Sequence, residues 1–145
     1  MKKRQGVIKI KEEAKPWIVI LTHGRAGEEL VKSAEMILGK LKDVYTFSLL
    51  QGMPPENFMD EVKKVLEKAP EGSLILTDLY GGTPSNVSIM LSKQYKISAA
   101  SGLNIAMLIE ADSERNTLRG KELADAVVDA GKDACKEVTA LFNSK

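Results

Sequence analysis

The chain has one histidine, one cysteine and one tryptophan in 145 residues, and aromatic residues make up 5% of it. A lone cysteine, Cys135, forms no intrachain disulfide, which fits a reducing compartment and leaves core packing as its simplest role. One histidine and one cysteine offer little from which to build a transition-metal site, and neither a metal nor another cofactor is expected. The aromatics are too few for base-stacking platforms. Excess charge is also missing: 21 basic against 20 acidic residues leave a formal charge of +1, so nucleic acid is not an expected partner. No apolar run reaches membrane-spanning length. The basic start Met1-Lys2-Lys3-Arg4 is followed only by Val7, Ile8 and Ile10 before further charges, so it lacks the apolar stretch of a signal peptide. A soluble, cytoplasmic protein is expected.

At 43% hydrophobic, the chain suffices for one core and is too short for two of ordinary size. Residues 1–16 are set apart by Lys2, Lys3, Arg4, Lys9, Lys11 and Lys15 against Glu12 and Glu13, ending at Pro16. They read as a basic N-terminal arm, solvated or adding Val7-Ile8-Lys9-Ile10 to an edge or partner, ahead of a single domain at 17–145.

That domain opens with Trp17-Ile18-Val19-Ile20-Leu21-Thr22-His23-Gly24. An unbroken apolar run of this kind is a strand buried on both faces, as a parallel sheet between helices requires. Leu30, Val31, Ala34, Ile37 and Leu38 then share a helical stripe, with Glu28 and Glu29 at its start and Gly39 at its close. Val44–Leu49 alternates as a second strand. After the breakers Gly52, Pro54 and Pro55, Phe58, Met59, Val62, Val65 and Leu66 recur with helical spacing between Glu56 and Lys68. Ser73–Asp78 repeats the first strand's pattern and runs into Leu79-Tyr80-Gly81-Gly82-Thr83-Pro84-Ser85-Asn86. There Thr83 is placed to cap a helix and Pro84 to occupy its first position. A short strand at Ile97–Ala100 follows, and residues 105–110 fit strand or helix by pattern alone, with Asn104 as a cap favouring helix. A longer helix begins at Arg119 with Leu123, Val127, Val128 and Gly131 on one face. Beyond Lys136 the reading divides, because Val138, Ala140 and Phe142 also alternate as a strand would.

Strands alternating with helices call for a three-layer, doubly wound α/β domain, its mainly parallel sheet in the order 2-1-3-4 with helices on both faces. In that order the first and third strands are neighbours where the winding reverses, and His23 and Asp78 end them on the same edge. The crevice would then hold an imidazole, a carboxylate, two glycine loops and two helix N-termini. A carboxylate that fixes one ring N–H leaves the other nitrogen free to attack phosphorus, with backbone N–H groups near Gly24 and Thr83 to receive the phosphoryl oxygens. Arg25 is a further candidate phosphate ligand, although an arginine so placed is more often a solvated loop charge. Two other histidine or glycine-loop chemistries fit poorly. Histidine phosphatases place an arginine before the histidine and use a second histidine, whereas Thr22 precedes the single His23. A dinucleotide site wants three glycines in the first turn and an acid ending the second strand, which here ends Ser48-Leu49-Leu50.

The combination of Ile20-Leu21-Thr22-His23-Gly24, Ser33-Ala34-Glu35-Met36, Leu76-Thr77-Asp78-Leu79-Tyr80-Gly81-Gly82-Thr83-Pro84-Ser85-Asn86 and Gly102-Leu103-Asn104-Ile105-Ala106-Met107-Leu108 resembles the IIA component (EIIA) of the mannose/fructose/sorbose-type sugar phosphotransferase system. The resemblance runs from about Trp17 to the C-terminal helix. It implies a cytoplasmic histidine phosphocarrier. His23 would take a phosphoryl group from phospho-HPr, on Nε2, and pass it to a IIB component, Asp78 would hold the other ring nitrogen, and Thr83 would lie beside the phosphate. It also implies a homodimer, in some members with a C-terminal antiparallel edge strand exchanged between subunits, to which Lys136–Phe142 would correspond. The membrane would be met only through IIC and IID transporter subunits. An alternative within the same fold is a regulatory phosphocarrier serving a dihydroxyacetone-kinase-type or transcription-regulator partner. A third reading, a small-ligand binder using His23 for a hydrogen bond, predicts no phosphohistidine.

Overall fold

The structure is a computed structural model and describes residues 14–143. Four strands, β1 (Ile18–His23), β2 (Val44–Leu49), β3 (Leu74–Thr77) and β4 (Ser98–Ala100), form one sheet in the order β2-β1-β3-β4. All three pairings are parallel, with Ile18 opposite both Val44 and Leu74, and Leu74 opposite Ser98. The expected order and winding are therefore those observed.

Successive side chains of a strand point to opposite faces, and β1 and β3 bury both. Ile18, Ile20, Leu74 and Leu76 join one core with helices α1 (Ala26–Leu38), α4 (Ile105–Glu114) and α5 (Gly120–Asp133). Val19, Leu21 and Ile75 join the other with α2 (Pro55–Leu66) and α3 (Gly82–Tyr95). This two-sided burial is why β1 carries no polar alternation until Thr22. Among the described residues, no helix is long and apolar enough to cross a membrane.

Element ends follow local chemistry. Gly39, at φ +81, closes α1 and returns its N–H to the Glu35 carbonyl. The Asn104 side chain accepts the Met107 N–H at 2.9 Å and caps α4, as expected. The start of α3 differs from expectation. It begins at Gly82 with Gly81 as cap residue and no capping side chain, so Thr83 lies inside its first turn and Pro84 at its third position. Two successive glycines with positive φ let the backbone turn in ahead of the threonine. The C-terminal part also differs. The helix from Gly120 stops at Asp133, and Val138–Asn143 forms a separate short helix, α6, with none of its residues buried. In this single chain the segment is helical, and among the described residues no strand pairs with its alternating Val138, Ala140 and Phe142. Cys135 is exposed rather than in the core, since it falls in the link between α5 and α6.

At the amino end of the sheet, Arg115 is 5% exposed and gathers three chain segments. Its guanidinium donates to the carbonyls of Pro16 and Asp43 at 3.3 Å, to Lys42 at 2.6 Å and to the Asp112 carboxylate at 2.7 Å. Arg119 donates to the Ala14 carbonyl. The last residues of the basic arm are therefore tied to the domain, while residues 1–13, with the Val7–Ile10 run, lie outside the described part.

Candidate functional site

At the carboxyl edge of the sheet, Thr22 shapes the turn that follows β1. Its buried hydroxyl accepts the Gly27 N–H at 2.9 Å and donates to the Gly24 carbonyl at 3.1 Å. Gly27 packs so tightly under this turn that a Cβ there would lie 2.8 Å from Cγ2 of Ile20. The turn leaves His23 as the first exposed side chain of β1, 48% accessible.

Asp78 follows the last residue of β3 and reaches across to its neighbour strand. One oxygen, Oδ2, accepts the backbone N–H of His23 at 2.9 Å and faces the ring Nδ1 at 3.1 Å. A carboxylate only accepts, so Nδ1 donates in this contact, and in the neutral ring that leaves the lone pair on Nε2. The other oxygen, Oδ1, is buried and has no partner among the described residues. The expected His23–Asp78 pairing is thus in place.

Gly82 brings the start of α3 against the opposite side of the ring. A Cβ on Gly82 would lie 3.3 Å from both Cε1 and Nε2 of His23, and its φ is +82°. The free N–H groups of a helix's first turn favour negative charge, and here that turn begins beside Nε2. Pro84 contributes no donor to this set. The N–H of Gly24, an expected phosphate donor, is committed to the Leu49 carbonyl at 2.8 Å, because the chain there continues the β1–β2 pairing one step past the strand. Thr83 is half-buried in the first turn of α3, and Asn86 is exposed on it.

Arg25 is the cap residue of α1. Its guanidinium pairs with Glu28 Oε2 at 3.3 Å, and the Ser48 hydroxyl donates to that same oxygen at 2.8 Å. The Ser48 hydrogen bond, followed by Arg25, holds the Glu28 carboxyl below the usual range against some opposing burial. Glu28 looked only like a helix-dipole acid and Ser48 only like a strand residue, since nothing in linear spacing joins positions 28 and 48. Around the crevice, Leu50, Leu79 and Tyr80 are exposed, Tyr80 at 81%. They form an apolar rim on loops beside a polar centre.

The site and fold define a small doubly wound α/β domain whose switch point presents a carboxylate-oriented histidine to helix N-termini. Residues 17–128 match the model of the family EIIA-man, PTS system fructose IIA component, and the chain belongs to this mannose-type EIIA family. A crystal structure of phosphotransferase system component EIIA from Streptococcus agalactiae is similar at 32% identity and a TM-score of 0.80, covering 86% of this chain and 98% of that one. The mannose/sorbose specific IIA subunit from Enterococcus faecalis is similar at 33% identity and a TM-score of 0.79, covering 85% and 94%. The PTS system mannose-specific EIIAB component of Escherichia coli K12 is 35% identical over 129 residues, which are 85% of this chain and 39% of that protein. The chain thus spans about two fifths of the length of the curated mannose-specific relatives it matches.

Proposed function

We propose that the protein is a cytoplasmic histidine phosphocarrier of a sugar phosphotransferase system, taking a phosphoryl group from phospho-HPr on Nε2 of His23 and passing it to a IIB component. The single observation that carries this reading is the double hold on the ring: Asp78 at Nδ1 and the start of α3 against Nε2. The Nε2 lone pair attacks phosphorus, the donor's P–N bond breaks, and the leaving imidazole nitrogen keeps the bonding pair. Nδ1 keeps its proton and donates it to the Asp78 carboxylate throughout, so the ring need not reorient between accepting and giving. Helix N–H groups at Gly82 and Thr83, the Thr83 hydroxyl and the Arg25 guanidinium receive the phosphoryl oxygens. Such preset donors act by positioning and electrostatics rather than by new covalent bonds. Leu50, Leu79 and Tyr80 give donor and acceptor one shared docking rim, used in turn by transient complexes of modest area. As in the family resemblance, the working unit is a homodimer, in which the exposed Val138, Leu141 and Phe142 find cover.

The test is incubation of the purified protein with phosphoenolpyruvate, enzyme I and HPr, reading intact mass before and after mild acid, with His23→Ala in parallel. One acid-labile phosphoryl group on the wild type and none on the variant is the expected result. A folded wild type that gains no mass, while a known IIA protein does, refutes the reading.

A further inference from the structure

The four loops at the carboxyl edge of the sheet are Gly24-Arg25, Leu50–Pro54, Asp78–Gly81 and Ser101–Asn104, and Arg25 is the one basic residue among them. Phosphorylation of His23 would place about two negative charges next to the Asp78 carboxylate. Arg25 is two residues from His23, at most about 7.6 Å away from Cα to Cα, so its side chain can span the distance. In the structure, however, its guanidinium rests on Glu28. Glu28 is in turn fixed by Ser48 of β2, which stands opposite Thr22, whereas Asp78 and Gly82 flank the ring from the β3 side. The arginine is thus held on the β2 flank of the histidine. Arg25 and Glu28 are both solvent-accessible, at 66% and 36%, and an ion pair of that kind is weakly held and readily exchanged.

Resting on the phosphocarrier reading of His23, we propose that Glu28, braced by Ser48, is a positioning residue that parks Arg25 beside the empty site and yields it to the phosphoryl group when His23 is charged. Glu28 and the phosphoryl group compete for one guanidinium, and the competition sets how readily the carrier loads and unloads. A phosphoryl dianion offers a bidentate partner of higher charge than a carboxylate, so loading pulls the arginine across. Glu28 keeps its Ser48 bond and is ready to take Arg25 back after discharge. The pair thereby keeps the phosphorylated form from becoming so stable that transfer onward stalls.

The experiment is the equilibrium between phospho-HPr and the full chain, read as the fraction of each protein phosphorylated by intact mass. The variants are Arg25→Met, Arg25→Lys, Glu28→Gln and the Arg25→Met/Glu28→Gln double variant, with circular dichroism confirming that each is folded. Arg25→Met is expected to lower the equilibrium constant for loading about fivefold and Glu28→Gln to raise it about twofold, the scale of exposed charge pairs. Arg25→Lys should recover part of the loss, as a point charge without the fork. The Glu28 effect must vanish in the Arg25→Met background, an outcome that a merely structural role for Glu28 would not produce. Unchanged loading in folded Arg25→Met, or a Glu28→Gln effect that persists without Arg25, overturns the proposal while leaving the carrier reading intact. A wild type that takes no phosphoryl group overturns both.

Discussion

Replacing Gly82 with alanine adds one methyl group directly against the imidazole of His23. The new Cβ would stand 3.3 Å from Nε2 and Cε1 of His23, and the ring cannot swing aside because Asp78 holds both its Nδ1 and the residue's backbone N–H. The substitution also forces a side chain into φ +82°, at a cost of about 1–2 kcal/mol. Two effects should therefore appear together: a modest loss of stability, and a fall of roughly a hundredfold in the rate of phosphoryl transfer, the scale expected when reacting atoms are displaced by about an ångström. Gly27→Ala separates them. Its Cβ would press on Ile20 at 2.8 Å and on Thr22 at 3.2 Å, costing about 1–3 kcal/mol as overpacking, at a residue whose close neighbours are core atoms rather than the imidazole. Stopped-flow or quenched transfer from phospho-HPr, normalised to the folded fraction from urea denaturation, gives both quantities. Wild-type transfer rates in folded Gly82→Ala would refute the idea that the start of α3 lines the phosphoryl path.

Asp78→Ala removes the acceptor for two His23 donors; the fold should persist while phosphoryl transfer drops by about two orders of magnitude, the scale of orientation effects, measured in the same assay. Arg115→Met keeps length and loses every hydrogen bond that joins Pro16, Lys42, Asp43 and Asp112; urea titration should show about 3 kcal/mol of destabilisation, with transfer per folded molecule unchanged. Tyr45, packed against Trp17 at a ring separation of 4.8 Å, has its phenol raised above the ordinary value by burial and then by Asp43. A group whose folded value is raised gives its full contribution below the unfolded value and loses it as pH climbs through the folded one. Tyrosinate absorbance should therefore show one tyrosine titrating late, and stability should fall across that alkaline window. If Tyr45 titrates with the others, its packing against Trp17 is looser than described.

The sheet was legible because burial on both faces writes itself into an unbroken apolar strand, and Ile18–Leu21 and Leu74–Leu76 are buried on both sides. The pairing of His23 with Asp78 followed from topology alone: once strands one and three are neighbours, both residues must end on one edge. What escaped were features set by backbone path rather than by residue type. Thr83 and Pro84 carry cap chemistry, but glycines at 81 and 82 begin the helix before them. Gly24 stands next to the histidine in sequence, yet its amide is spent on Leu49 across the β1–β2 pair. The contact of Glu28 with Ser48 depends on strand register, which no local pattern announces. The C-terminal segment supports both readings by pattern, since six residues at 138–143 with no buried position offer neither period a core to choose between.

The mooring of Pro16 and Ala14 by Arg115 and Arg119 has a practical geometry. β1 runs six residues from this mooring side to His23, a rise of about 17 Å at strand spacing, and the apolar rim lies at the far end. Ala14, where the described residues begin, therefore lies at the end of the sheet opposite the histidine. A surface linker or a fluorescent reporter attached at Ala14 would hold the molecule from behind, leaving the rim open.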